Sequence, residues 1–395
     1  MNEPAIGVPP GDAIALTRAL VRVDSRNPGL VSGAPGEAAA ARLLAGVLRE
    51  WGFRVEIQES APGRPNVLAR IGAPGRTLML NGHLDTVGVE GMLHAPFAAE
   101  VRDGRIWGRG ACDMKAGVAA MCAAAWRAAR DGALRGELLV TAVTDEEHDS
   151  LGTRALVASG VRADAAIVTE PTRLAVVPAH RGFAWIELTV HGRAAHGSRY
   201  DLGVDAIRHA GLLLAELDRL EADELPRRTH PLLGRASLHA STIAGGVGWS
   251  TYPERCVLRV ERRLLPGETG ATALREMEDA IARARTRQPG LRAQAALLTT
   301  QGPSDVAVDA PVVRALSAAL AEQGEPVQVE GLAAWTDAAL LNEAGIPAVC
   351  FGPGDIALAH AAEEWVAIDE IERATAVLTR LVRRWSEDGD GAWHN

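Results

Sequence analysis

The stretch that most constrains this chain is residues 78–87, LMLNGHLDTV. Leu78, Met79 and Leu80 form an apolar run of the kind that fills a buried strand. The run ends in His83-Leu84-Asp85, and on an extended segment residues two apart point to the same face. His83 and Asp85 therefore leave the strand end side by side. Histidine is a common zinc ligand, and a carboxylate beside a ligating histidine usually fixes its ring tautomer. The plainer alternative is a polar turn after a core strand, so the metal reading needs support from elsewhere in the chain.

That support comes from repetition. Residues 137–143 (ELLVTAV) read as a second strand and run into Thr144-Asp145-Glu146-Glu147. Adjacent acids repel unless something cationic sits among them. One glutamate can hold a metal while its neighbour stays free as a general base; a solvated acidic loop is the competing reading, and Asp145 is assigned no role. Residues 165–170 (AAIVTE) repeat the pattern, an apolar strand ending in Glu170 before Pro171. Between these strands, GRGACDMKAG places Asp113 ahead of a helix expected over 115–131. Asp113 is then either that helix's N-cap or a metal carboxylate. In open α/β sheets, sites form at the carboxyl ends of strands, so the acids and His83 converge there.

With 395 residues, two domains are expected. Net charge is −9, which disfavours nucleic acid and anionic membrane surfaces as partners. The N-terminus lacks a basic segment followed by an apolar one, as a signal peptide would have, and no run of 18 apolar residues occurs. Cys112, Cys122, Cys256 and Cys350 are scattered without CxxC spacing, so reduced thiols in a cytoplasm are expected; Cys112 is read as packing.

Residues 37–51 have helical spacing, and strands are expected over 53–58, 66–71 and 77–81. From residue 183 the texture changes. Strands at 183–190, 235–243, 255–264 and 291–298 and helices at 203–221 and 271–287 give the order β-α-β-β-α-β, the split unit of ferredoxin-like domains. The fold expected is therefore α/β: a first domain of residues 1–181 and 296–395, interrupted by an inserted α+β domain at 182–295. The first domain resumes with helices at 311–323 and 336–345, a strand at 346–351, and a last helix at 369–385 with Asp369 as N-cap. The tail from residue 386 reads as disordered. His360 follows a Gly-Pro-Gly turn and joins the ligand candidates: His83, Asp113, Glu147, Glu170 and His360. Imidazole and carboxylate together suit zinc, with cobalt or manganese as substitutes. Five protein ligands suit two ions sharing a carboxylate better than one tetrahedral ion that keeps a water.

The stretches GHLDTV, GRGACDMKAG, TDEE, VTEPT, GRAAHGS, ERRLLPGE and FGPG followed by AH resemble, in order, the co-catalytic zinc hydrolase family of acetylornithine deacetylase, succinyl-diaminopimelate desuccinylase, aminoacylase and glutamate carboxypeptidase. The resemblance implies a zinc-peptidase-like α/β catalytic domain with an inserted lid or dimerisation domain, and a homodimer formed through that insert. It implies Asp113 as the bridging carboxylate, His83 and Glu170 on one metal, and Glu147 and His360 on the other. Glu146 matches the general base, Asp85 the acid orienting His83, and His196 a histidine that holds the oxyanion, supplied in dimeric relatives by the neighbouring subunit. Arg263 matches an arginine for the substrate carboxylate. Without the resemblance, His196 would be a surface histidine and Arg263 a solvated strand charge. Two positions depart from the pattern: VGWSTYPERC stands where an asparagine usually contacts substrate, with Ser250 or Thr251 as stand-ins, and Trp335 stands where relatives carry small residues, as core or as pocket wall. The activity expected is hydrolysis of an N-acyl amino acid's amide by metal-activated water. A dipeptidase or carboxypeptidase is the alternative, and a non-catalytic metal- or peptide-binding scaffold the alternative of another class.

Overall fold

A computed structural model describes residues 7–130 and 134–387. The chain divides into two compact units, one of residues 1–178, 306–330 and 336–395, the other of residues 179–305 and 331–335. The expected insert, 182–295, falls inside the second unit.

The first unit is built on a mixed sheet. From one edge its strands run Arg54–Ala61, Arg64–Gly72, Glu137–Val143, Thr77–His83, Ala165–Val168, Ala348–Cys350 and Val176–His180. The four strands from Glu137–Val143 to Ala348–Cys350 are mutually parallel, and the flanking pairings are antiparallel. Parallel central strands are covered on both faces, which is why they read as unbroken apolar runs. Leu78, Leu80, Leu138, Val140, Ile167 and Val349 join one core, each large aliphatic side chain contributing about 1.5–3 kcal/mol on burial.

The helix Ala116–Arg130 is buried all round over its first ten residues, and the long helix Ile368–Glu387 packs against it. Its alanines permit that sandwich, since small side chains let backbones approach. Gly117 is the extreme case: a Cβ there would lie 1.9 Å from the carbonyl oxygen of Thr169. The helix start is thereby pressed against the strand end that carries Glu170.

The second unit has a four-stranded antiparallel sheet in the order Ser237–Gly245, Arg255–Leu264, Gly182–His191, Arg292–Gln301. Helices Ala206–Arg219 and Gly270–Arg287 contribute Leu213, Leu217, Met277 and Ile281 to its core. The connectivity is the split β-α-β-β-α-β unit. Arg262 is fully buried, held by Glu268 and Glu276.

Some local expectations differ from the structure. Asp369 lies inside the first turn of Ile368–Glu387, not at its cap. Asp113 does not cap a helix either: it has extended-side dihedrals (φ −118°, ψ 96°), and the helix begins at Ala116. The helix expected to 131 is seen to Arg130, and residue 131 lies outside the described residues; of the tail expected to be disordered from 386, Ser386 and Glu387 instead close the last helix, and residues 388–395 lie outside the described residues.

Candidate metal centre

The site is assembled at the carboxyl ends of three adjacent parallel strands. His83 is the last residue of its strand and pairs with Val143, the last of the next. Glu146 and Glu147 follow that second strand, and Glu170 follows Val168 on the other side of His83's strand. Asp113 comes from the turn that enters the buried helix, joined to Met114 by a cis peptide bond. His360 comes from the loop before the short strand Trp365–Ala367.

The structure brings the five ligand candidates and Glu146 together. His83 Nε2 lies 3.1 Å from Asp113 Oδ1, and His360 Nε2 lies 3.5 Å from Asp113 Oδ2, so the carboxylate offers one oxygen to each imidazole. His360 Nε2 is also 2.9 Å from Glu147 Oε2. Two triplets, His83/Asp113/Glu147 and His83/Glu146/Glu170, each place their ligand atoms within 4.8 Å of one another. The other ring nitrogen of His83, Nδ1, is 3.0 Å from the carbonyl oxygen of Asp85 and 3.5 Å from its Oδ1. Without an ion, Nε2 faces the Asp113 carboxylate, and although burial opposes it, the hydrogen bonds of Asp113 and Asp85 hold the imidazole well above its usual range; with an acceptor on Nδ1, the neutral ring would present its Nε2 lone pair to an ion.

Crowding carboxylates in a buried place is costly unless cations accompany them. Burial, then the charges of Glu170, Asp337 and Glu147, push Glu146 well above the usual carboxylate range. Burial and Asp113 push Glu170 up in the same way, and Glu147 up to about 7. Burial would also raise Asp113, but the hydrogen bond and charge of His83 more than offset it. The hydrogen bond to Glu147 lifts His360 to about 9. This donor set, imidazoles and carboxylates converging with mutual repulsion, fits divalent cations.

Asp85 does more than orient a ring. Its oxygens accept the backbone N–H groups of Glu146 (3.2 Å) and Glu147 (3.1 Å) and the Nδ2 of Asn27 (2.8 Å). It therefore fixes the turn on which both glutamates stand. Asp145, given no role from the sequence, is a structural hub. It is 1% exposed, has φ 69°, and accepts from Asn27 Nδ2, Arg64 Nη2 and the N–H groups of Asp149 and Leu151. Asn27, Arg64 and its partner Glu37 also escaped the sequence reading. Their only signal is buried polarity, which appears once the fold is known. Cys112 is packed, its thiol donating to the carbonyl of Asp355.

The remaining candidates stand on the second unit. His196 is exposed; its Nδ1 accepts the N–H of Ser198 at 3.3 Å and lies 2.8 Å from that residue's Oγ. The neutral ring then carries its proton on Nε2. Arg263 is paired with Glu261 at 2.6 Å and lies over Phe183. Trp335 donates from Nε1 to the carbonyl of Gly302 at 2.9 Å and meets His180 edge to face.

The carboxylate and imidazole cluster at the carboxyl ends of parallel strands could hold a metal ion, the kind of centre that metal-dependent hydrolases use. The chain belongs to Peptidase family M20/M25/M40, whose description matches residues 79–384, and it is a hydrolytic enzyme. It is 33% identical to the acetylornithine deacetylase of Myxococcus xanthus over 347 residues, 85% of this chain and 89% of that protein. It is 27% identical to the N-formyl-4-amino-5-aminomethyl-2-methylpyrimidine deformylase of Bacillus subtilis, covering 87% and 88% of the two chains. Its fold is that of the aminopeptidase PepT of Bacillus cereus, with a TM-score of 0.79 at 20% identity over 94% of this chain and 98% of the other.

Proposed function

We propose that this hydrolase removes the acyl group from an N-acyl amino acid, using two divalent ions. The observation that carries the reading is the Asp113 carboxylate, which turns one oxygen to His83 and the other to His360. A carboxylate so placed can serve two ions at once. We assign His83 and Glu170 to one ion, Glu147 and His360 to the other, and Asp113 to both, with zinc as the metal and cobalt or manganese as substitutes. When bound, such ions polarise the scissile carbonyl and acidify water.

The chain's own residues supply the proton transfers. Glu146 stands beside the ligands on a turn fixed by Asp85, with its proton affinity raised by burial and by neighbouring acids. An ionised carboxylate so placed can take a proton from the attacking water and later deliver it to the leaving nitrogen. Asp85 holds His83 in the tautomer that leaves Nε2 free. His196, with Nε2–H as its donor, is assigned to the developing oxyanion, and Arg263 to the carboxylate of the amino-acid product. The second unit is proposed as the dimerisation element. Its sheet ends in the exposed edge strand Ser237–Gly245, where Ile243 is 55% exposed, followed by Val247 and Trp249 at 90% and 106%. Unpaired strand edges with apolar flanks are natural pairing surfaces.

The deacylase reading rests on the likeness to the Myxococcus deacetylase. The test is metal analysis together with hydrolysis of a panel of N-acetyl amino acids and dipeptides. Chelator-sensitive release of acetate is expected to exceed dipeptide cleavage by at least about tenfold in kcat/KM. Cleavage of dipeptides alone would make the enzyme a peptidase.

A further inference from the structure

The two residues assigned to share and complete the His360 half of the site, Asp113 and His360, are 247 positions apart in sequence. Something must hold their relative position. His360 is poorly suited to hold itself: its backbone is left-handed (φ 61°), and its side chain is 52% exposed. Four residues further on, the chain buries an acid. The Glu364 side chain is 1% exposed, in a loop where function would predict nothing.

Its two oxygens are fully committed. Oε1 accepts the backbone N–H of Cys112 at 3.0 Å and of Asp113 at 3.1 Å. Oε2 accepts Nη1 of Arg109 at 2.5 Å. Arg109 is 3% exposed and donates from Nε to the carbonyl of Gly88, on the segment that continues past His83 and Asp85, at 2.8 Å. The backbone carbonyl of Glu364 accepts the N–H of Gly108, and the next residue, Trp365, pairs with Trp107. One carboxylate thus ties together the segment after His83, the peptide that presents Asp113, and the loop that presents His360.

We infer that Glu364, with Arg109 as its counter-ion, is a positioning residue that sets the separation of Asp113 and His360, and so the affinity of the His360/Glu147 half-site for its metal. The inference rests on the ligand assignment above. The Glu364 carboxylate is bonded to the amide of Asp113 itself, and only three residues separate it from His360, so any shift of Glu364 moves one ligand relative to the other. The His83/Glu170 half-site has a separate support. His83 is fixed by its strand and by Asp85, and Glu170 follows a paired strand. Through the shared Asp113 the clasp reaches both ions, but His360 belongs to one alone, so the His360/Glu147 ion should lose more. Removing a group that supports a ligand typically costs about 10–100-fold in metal affinity.

The test is stepwise cobalt(II) titration of the metal-stripped full chain, followed by visible absorption and calorimetry, for wild type, Glu364→Gln, Arg109→Leu, Arg109→Lys and His360→Ala. Circular dichroism of each stripped protein reports its fold. Glu364→Gln keeps an oxygen for the two amides but turns an NH2 donor toward Arg109 and removes its counter-charge, whereas Arg109→Leu removes the cation instead. The expected result is that the equivalent lost in His360→Ala is weakened at least about tenfold more than the other, with Arg109→Lys recovering part of what Arg109→Leu loses. A general destabilisation would weaken both equivalents by the same factor, and that outcome would overturn the inference. So would a Glu364→Gln titration matching wild type while His360→Ala loses the second equivalent. If wild type takes up a single equivalent, or His360→Ala still binds two, the ligand assignment itself fails and the clasp falls with it.

Discussion

At the scale of single residues, the site is organised by acids that never need to touch substrate. Asp145 separates what sequence can and cannot show. Its neighbours Glu146 and Glu147 announce themselves as a pair of acids at a strand end, and the structure places both beside His83. Asp145 looks like a third member of the same run, yet it faces inward to Arg64 at 2.9 Å with its own side chain 1% exposed. Breaking a buried ion pair on one side leaves the other charge uncompensated. Asp145→Asn is therefore expected to cost about 3 kcal/mol of stability, read as a lowered urea midpoint, while metal content at saturating zinc stays near wild type. A variant as stable as wild type would show that Arg64 is sufficiently paired by Glu37 alone. Asn27 and Arg64 were illegible for the same reason. Their partners lie 118 and 81 positions away, and no local spacing encodes such a contact.

Among elements, strand ends were legible and junctions were not. Apolar runs that stop at His83, Val143 and Val168 follow directly from the burial of parallel strands on both faces. In sequence, the entry to the helix Ala116–Arg130 resembles a cap, because aspartate before a helix is ordinarily one. Here the turn is shaped by long-range bonds to Glu364, and Asp113 is diverted to the histidines. Close packing at Gly117 completes that junction. Gly117→Ala would drive a methyl group into the Thr169 carbonyl, 1.9 Å from the ideal Cβ position. Both the helix start and the Glu170 strand end must then move. Overpacking of this kind costs typically about 1–3 kcal/mol, and here the neighbour is backbone. The expected result is a loss of at least about 2 kcal/mol in thermal or urea unfolding, together with weaker metal retention under dialysis. Retention of both would mean that the helix can shift without disturbing Asp113 and Glu170.

For the whole molecule, the chain order of strands and helices carried both folding patterns, because hydrophobic period and turn residues specify each locally. The second unit's limits were less legible, since residues 331–335 join it from far along the chain. The proposed division of labour between units makes His196 the informative position. It is exposed, and with Nδ1 accepting from Ser198 its neutral ring carries the donor on Nε2. Loss of an oxyanion donor costs about 10²–10³ in kcat, whereas loss of uniform binding would raise KM. His196→Ala is expected to keep its metals, lose kcat by that factor and change KM little. If the donor crosses a dimer, mixing this variant with Glu146→Gln under subunit exchange restores part of the activity. Full activity of His196→Ala alone would return it to the surface histidine that its exposure suggests.

The central claim is that Glu146 moves protons while its neighbour Glu147 holds metal, even though Glu146 lies within ligand distance of His83 and Glu170. Metal content and kcat measured together on Glu146→Gln test this most directly. A general base without a ligand role predicts about two metal ions per chain and a kcat lowered at least about a hundredfold. A fall in bound metal, or turnover close to wild type, would contradict it.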